Sequence, residues 1–357
     1  MKKWIVGITA GVSFLIAVLL AVVSGHMIRG LTDQNMTSRW STKKDVAHVS
    51  CFFSANAGIS EDRIAEFEHS LDSYLQEAGV MQDEENPDAR LWVDAYSAEG
   101  KASLSTGNGQ VDCDAVGIGG DFFLFHPQKL LKGRYFSGNE LNQDFCIIDA
   151  DAAWQLFGSN DVAGMTVEIG GVSHVVAGVI ERPDRKMVKA AGLDTTRVYL
   201  SLNSLYRYGA TTGINHYEIV MANPVDHYVY KHVKERLGSD EKEIEVVENS
   251  SRFCLLNRLK VLAAFGTRSM NGKAIIYPYW ENLARGYEDI ISVITLYMLL
   301  FLLYPFLVLL IVFIKWWKHK GWTFKSVWMN AKDKIERMQE KNYARRMERK
   351  SQKEEKL

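Results

Sequence analysis

Two stretches of this sequence contain no charged side chain. Trp4–Ile28 and Ile290–Ile314 each run for 25 residues without Asp, Glu, Lys or Arg. About 20 apolar residues carry a helix across a bilayer core, so both are read as transmembrane helices. The same lack of charge argues against a proton or ion relay inside the spans, which intramembrane ionisable residues would mark. No G-x-x-x-x-G-K-[ST] loop occurs, which excludes ATP binding by that route, and no H-E-x-x-H metalloprotease helix occurs. Cysteine is scarce: Cys51, Cys113, Cys146 and Cys254, with no C-x-x-C spacing. These are read as small buried hydrophobes; a site outside the cytoplasm would permit disulfides, but spacing alone assigns no pair.

What is present is a charge asymmetry. Lys2 and Lys3 precede the first span, and from Lys315 onward there are 14 Lys/Arg against 6 Asp/Glu. Between the spans, residues 29–289 carry 26 Lys/Arg against 37 Asp/Glu, a net of −11. Basic flanks stay on the cytoplasmic side. Both termini are therefore expected in the cytoplasm of a multi-pass plasma-membrane protein, with the acidic middle outside. The first apolar run exceeds the usual signal-peptide core and is read as an uncleaved anchor. A net of −11 over 261 residues is a weak field at physiological salt, and nothing here points to nucleic acid.

Along the chain, residues 25–44 read as a polar stalk and Val46–Ser54 as a strand. Ser60 is an N-cap candidate for a helix over Glu61–Gly79, with Ile64, Phe67, Leu71 and Leu75 at helical spacing. Leu91–Ser97 is the next strand. The unit recurs as a strand over Tyr217–Ala222, a helix from Pro224 to Leu237 and a strand over Glu243–Val247. Two strand–helix–strand units so far apart predict one split α+β domain, ferredoxin-like in character. Within the insertion, Phe145–Ile148 is a strand and Ala150–Phe157 a helix closed by Gly158. Met165–Ile169 and Val172–Ile180 form a hairpin turning at Gly170-Gly171. Ser251–Phe265 is read as an amphipathic helix, residues 266–288 as an irregular return to the membrane with interfacial aromatics, and Trp322–Ile335 as an interfacial face.

The candidate sites resolve into structural roles. Gly117–Gly120 lacks a following helix N-terminus and is read against nucleotide binding; Gly107-Asn108-Gly109 is a tight turn. Asp149 and Asp151 read as helix caps rather than an acid/base pair, and Ser137 with Glu140 as a capping box. His216, His227 and His232 are read as satisfied or surface histidines, since His227 and His232 are not at facing helical spacing. Asn35 and Asn249 begin glycosylation triplets of the kind that occur by chance. No catalytic residue, metal ligand or cofactor site is expected.

Three segments carry a resemblance. Ala115-Val116-Gly117 with Asp121-Phe122-Phe123, Leu131-Lys132-Gly133-Arg134-Tyr135-Phe136-Ser137, and Ala153–Gly158 with Ala163-Gly164 and Val175–Val179 follow one another in a fairly specific order. Together with Val198-Tyr199-Leu200 they resemble the extracytoplasmic core domain of MacB/FtsX-type ABC transporter permeases. The resemblance implies a porter-like domain divided as follows: span 1 within residues 1–28, a first half over 29–99, an inserted β-rich subdomain over 100–213, a second half with return helix over 214–289, span 2 over 290–314 and a basic cytoplasmic tail over 315–357. It also implies a non-catalytic subunit of an ABC transport or mechanotransmission complex. The expected partners are an ABC ATPase subunit or a full-length permease, the lipid bilayer, and a second subunit in a homo- or heterodimer. Family permeases carry three spans after the outer domain, where one is found here. The alternative is a membrane-anchored sensor or adaptor signalling through its basic tail.

Overall fold

A computed structural model describes residues 2–41, 45–81, 89–238, 240–265, 275–320 and 328–342. In chain order its elements are α1 (Lys2–Arg29), α2 (Met36–Trp40), β1 (Val46–Phe53), α3 (Glu61–Glu77), β2 (Trp92–Thr106), β3 (Gly109–Gly120) and α4 (Phe122–Phe125). Then come β4 (Leu130–Gly133), β5 (Phe145–Asp149), α5 (Ala150–Phe157), β6 (Thr166–Ile169), β7 (Val172–Ile180), α6 (Lys186–Ala190), β8 (Arg197–Ser201) and α7 (Leu202–Tyr208). The chain continues through β9 (Ala210–Thr211), β10 (His216–Ala222), α8 (Tyr228–Arg236), β11 (Ile244–Glu248), α9 (Leu255–Ala263) and α10 (Tyr279–His319). The fold is mixed α+β.

One sheet orders its strands β11-β1-β10-β2-β3-β8-β5-β7-β4, with β6 bridging β2 and β7 and β9 beside β2. The first four are antiparallel neighbours, whereas β3–β8 and β5–β7 pair in parallel. β2 is far longer than Leu91–Ser97, because it runs on into a hairpin with β3 that turns at Gly107-Asn108.

Both faces of the sheet's centre are covered, so β1 and β10 are buried along almost their whole length. On one face, α3 and α8 bury Ile64, Phe67, Leu71, Leu75, Val229 and Val233 against Val49, Tyr217 and Ile219. On the other, Met36, Phe122, Phe125, Tyr279 and Trp280 cover Val93, Ala95, Val116 and Val220. The capping expectations hold where the helices form. Ser60 Oγ accepts from Arg63 N and Asp149 Oδ1 from Ala152 N, and Gly158 closes α5.

Four readings are corrected. The helix expected from Pro224 begins at Tyr228, because Asn223 Oδ1 accepts from Val229 N and the chain reaches the helix through a turn with His227 at φ 63°. Ser251–Phe265 is helical only over Leu255–Ala263. Ser137 and Glu140 hydrogen-bond in a turn with no helix behind it. The return to the membrane is helical from Tyr279, and its aromatics Tyr279 and Trp280 lie in the core with 5% and 2% exposure instead of at an interface. Residues 266–274 and Trp322, Phe324 and Val327 lie outside the described residues; Trp328 and Ile335 are exposed on a helix over residues 328–342.

The chain divides into two compact units, Leu20–Leu296 and the pair of segments Met1–Leu19 with Tyr297–Leu357. In the second, Ser13 Oγ donates to the Phe301 carbonyl at 2.7 Å and Thr9 Oγ1 lies 2.8 Å from Tyr304 Oη. Such hydroxyl contacts are how apolar helices associate where hydrophobic burial offers no drive.

Candidate functional site: a buried polar seam

β10 alternates its side chains. Tyr217 and Ile219 enter the α3/α8 core, which leaves His216, Glu218 and Val220 on the opposite face. Beside them on β1, His48 and Ser50 face the same way, with Ser50 paired to Glu218 in register. His126, just after α4, descends onto this face. His48, His126, His216 and Glu218 are all at most 1% exposed. Glu218 Oε2 lies 3.0 Å from His48 Nε2 and 3.9 Å from His216 Nε2, and Glu218 Oε1 lies 2.6 Å from His126 Nε2. The last contact is a close ion pair, and neither ring nitrogen of His216 has a hydrogen-bond partner among the described residues. Trp280 covers the group, its ring 4.0 Å from His126 and 5.1 Å from His216.

The electrostatics follow from this crowding. Burial alone would lower the His126 pKa, but Glu218 and Asp33, one against each ring nitrogen, outweigh it and raise the pKa to about 9. His216 goes the other way, to about 4, through burial and the neighbouring imidazoles. Burial opposes ionisation of Glu218, yet the histidines hold it well below the usual carboxylate range.

The cluster continues into a second group. Ser50 Oγ donates to Glu218 and accepts from Asn249 Nδ2 at 2.7 Å, and Arg252 Nη1 donates to Asn249 Oδ1 at 3.2 Å. Arg252 grips Glu281 through both terminal nitrogens, at 2.7 and 2.6 Å, and reaches Glu288 at 2.7 Å and Gln34 at 3.1 Å. Arg285 ties Glu281 at 2.6 Å to Glu245 on β11 at 2.7 Å. Asp33 and Gln34 follow α1; Glu281, Arg285 and Glu288 belong to the first turns of α10. The seam therefore joins β1, β10 and β11 to the ends of the two long helices that lie within Leu20–Leu296.

The profile of the family described as a MacB-like periplasmic core domain matches residues 4–230. The chain belongs to that family. The motif resemblance is thereby borne out, and the two helices long and apolar enough to cross a membrane belong to a membrane protein whose MacB-like domain is extracytoplasmic. Among curated proteins, the macrolide export ATP-binding/permease protein MacB of Chromobacterium violaceum is 30% identical over 80 residues, 22% of this chain and 12% of that protein. The protein of the same description from Pasteurella multocida is 29% identical over 82 residues, 22% and 13% respectively. The matches thus span about an eighth of these relatives. Among solved structures, the periplasmic region of MacB from Actinobacillus actinomycetemcomitans aligns with 57% of this chain and 89% of its own at 14% identity, with a TM-score of 0.38. The extracellular domain of the noncanonic ABC-type transporter YknZ from Gram-positive bacteria covers 56% and 99% at 16% identity and a TM-score of 0.35.

In this MacB-like chain the residues singled out from sequence take other places. Asp149 caps α5 and also accepts from Arg182, while Asp151 pairs with Arg182. Gly119 lies under the Tyr96 ring, where a Cβ would come within 2.0 Å, and Gly117 packs against Leu205, while Gly120 takes φ 63° where β3 ends. Asn249 is buried and hydrogen-bonded, and Asn35 Nδ2 donates to the carbonyls of Ile28 and Leu31. His227 pairs with Glu248, and His232 stacks on Tyr74 at 3.6 Å. Cys51, Cys113 and Cys146 are buried free thiols, and Cys254 is an exposed one. Of the histidines considered, His216 alone enters the seam. One signal was available: H-x-E on β10 and H-x-S on β1 place polar residues at period two. Reading Val46–Ser54 and Tyr217–Ala222 only as strands passed over it.

Proposed function

We propose that this chain is a permease-like or accessory membrane subunit of an ABC-type transport or mechanotransmission complex. Its extracytoplasmic domain does the work without catalysis of its own, and ATP hydrolysis comes from another chain. One observation carries the reading: a water-excluded run of hydrogen bonds and ion pairs links the central strands to the ends of both long helices. Ionic groups removed from water are costly to separate, so such a seam makes strands and helix ends move together. A shift of the outer domain would reach the first turns of α10, which carry Glu281, Arg285 and Glu288. The length of this 41-residue helix, roughly 60 Å at 1.5 Å per residue, exceeds a bilayer and leaves its first turns for the domain.

In this reading both termini are cytoplasmic, supported by the basic flanks. The outer domain is a split, porter-like ferredoxin unit, supported by the order β11-β1-β10-β2 with α3 and α8 on one face, and residues 100–213 are its insertion. Its partners are an ABC ATPase subunit or a full-length permease, and a second subunit in a homo- or heterodimer. Co-purification from native membranes in mild detergent tests this: an ATP-binding chain or longer permease should be retained. If neither is ever retained and deleting residues 331–357 abolishes function, the chain is instead a sensor acting through its tail.

A further inference from the structure

We propose that His126, His216 and Glu218, with His48 beside them, form a binding site for one divalent transition-metal cation of the zinc class. Imidazole nitrogen and carboxylate oxygen are the donors such ions take. The donor atoms of His126, His216 and Glu218 all lie within 4.8 Å of one another. Tetrahedral bonds of about 2.1 Å set ligand atoms about 3.4 Å apart. His48 Nε2 and His216 Nε2 lie 3.0 and 3.9 Å from Glu218 Oε2, and His126 Nε2 lies 2.6 Å from Oε1, so the side chains would shift to share one ion.

Two further observations point to a ligand. Both ring nitrogens of His216 are buried without a hydrogen-bond partner among the described residues, and orphaned buried polar atoms are costly unless something satisfies them. His126 has the outer support that metal-binding histidines use: Asp33 Oδ1 lies 3.1 Å from Nδ1, which directs Nε2 toward the cluster. Asp33 also lines an open cleft of about 500 Å³ with Gly30, Gln128 and Tyr279, so the outer side of this support faces solvent. Trp280 packs on the His126 ring at 4.0 Å. Held by buried side chains, the ion would be structural: it would clamp β10 to the segment after α4 and, through Asp33, to the end of α1.

The site is independent of the transport assignment, because metal retention is measured on the isolated chain. The full chain, purified in mild detergent with a tag free of histidine, is stripped with chelator, dialysed against Zn2+ or Co2+, and analysed by elemental mass spectrometry, visible absorption and thermal unfolding. About one Zn2+ per chain is expected, with a higher Tm and a Co2+ spectrum of mixed nitrogen and oxygen donors. His216→Ala and Glu218→Gln should each lose most of the ion and its Tm increment, while His227→Ala, on the surface, should keep both. Wild-type protein that retains no metal overturns the proposal and leaves the cluster an ion pair of protonated His126 with Glu218. So does a Co2+ spectrum of oxygen donors only, or equal retention in His216→Ala. Should the variants not fold, the wild-type stoichiometry and spectrum decide alone.

Discussion

Glu281→Ala removes the carboxylate that both Arg252 and Arg285 hold at 2.6–2.7 Å. Arg252 stays at the same place with its side chain 3% exposed. Breaking a buried pair by deleting one partner costs about 3–5 kcal/mol, because the other charge is left uncompensated. Glu288 and Gln34 still reach Arg252, so the lower end, about 3 kcal/mol, applies. For a domain of this size each kcal/mol moves Tm by about 2–4 °C, giving a fall of roughly 6–12 °C. Tryptophan fluorescence of the detergent-solubilised chain during heating reads it, with Trp280 inside the affected region. An exposed pair is the control: Arg63 and Glu66 sit 3.8 Å apart with side chains 51% and 74% exposed, and Glu66→Ala should shift Tm by less than about 2 °C. The double variant Arg252→Met, Glu281→Leu should recover at least half the loss, since it leaves no orphaned charge on Arg252. If Glu281→Ala lowers Tm no more than Glu66→Ala, the seam does not hold the helix end and the coupling argument fails.

Other outcomes follow from the same structure. Burial, then Glu68, raises the Asp94 carboxyl to about 8 from an ordinary 3.8; the native state then binds its proton more tightly than the unfolded chain, so stability falls as pH rises from about 4 to about 8. Asp94→Asn should flatten that slope, raise Tm at pH 8 and leave it unchanged at pH 4; a variant curve parallel to wild type across this range would refute the shift. Gly133 sits at φ 82° with a Cβ position 2.1 Å from the Ala177 carbonyl oxygen, so Gly133→Ala should destabilise by about 2–4 kcal/mol by combining strained φ with a backbone clash, whereas a Tm loss under 3 °C would show the β4–β7 contact to be soft. A reporter fused after Leu357 should be active only in its cytoplasmic form, and an external signal would overturn the two-span topology.

Local chemistry made several elements readable in advance. α3 and α5 begin and end where Ser60, Asp149 and Gly158 place them, because caps act within one turn. The hairpin at Gly170-Gly171 is equally local. The start of α8 escaped because Asn223 Oδ1 reaches Val229 N across a six-residue turn that Pro224 does not reveal, and the helical first turns of α10 escaped because the burial of Trp280 depends on surroundings brought in from elsewhere in the chain.

The sequence by itself determined the two apolar helices, the charge of the segment between them, the order of the family motifs and the starts of α3 and α5. Each of these rests on residues within a few positions of one another, where periodicity, capping and composition act. Tertiary structure alone decided the seam. His48 and Glu218 are 170 residues apart and Arg252 and Gln34 are 218. No local rule joins them. They meet because strand pairing lays β1 beside β10 and because Trp280 covers the face on which their alternation leaves them. Whether a scattered histidine is a surface residue or part of a buried cluster depends on which strand face it takes and what packs above it.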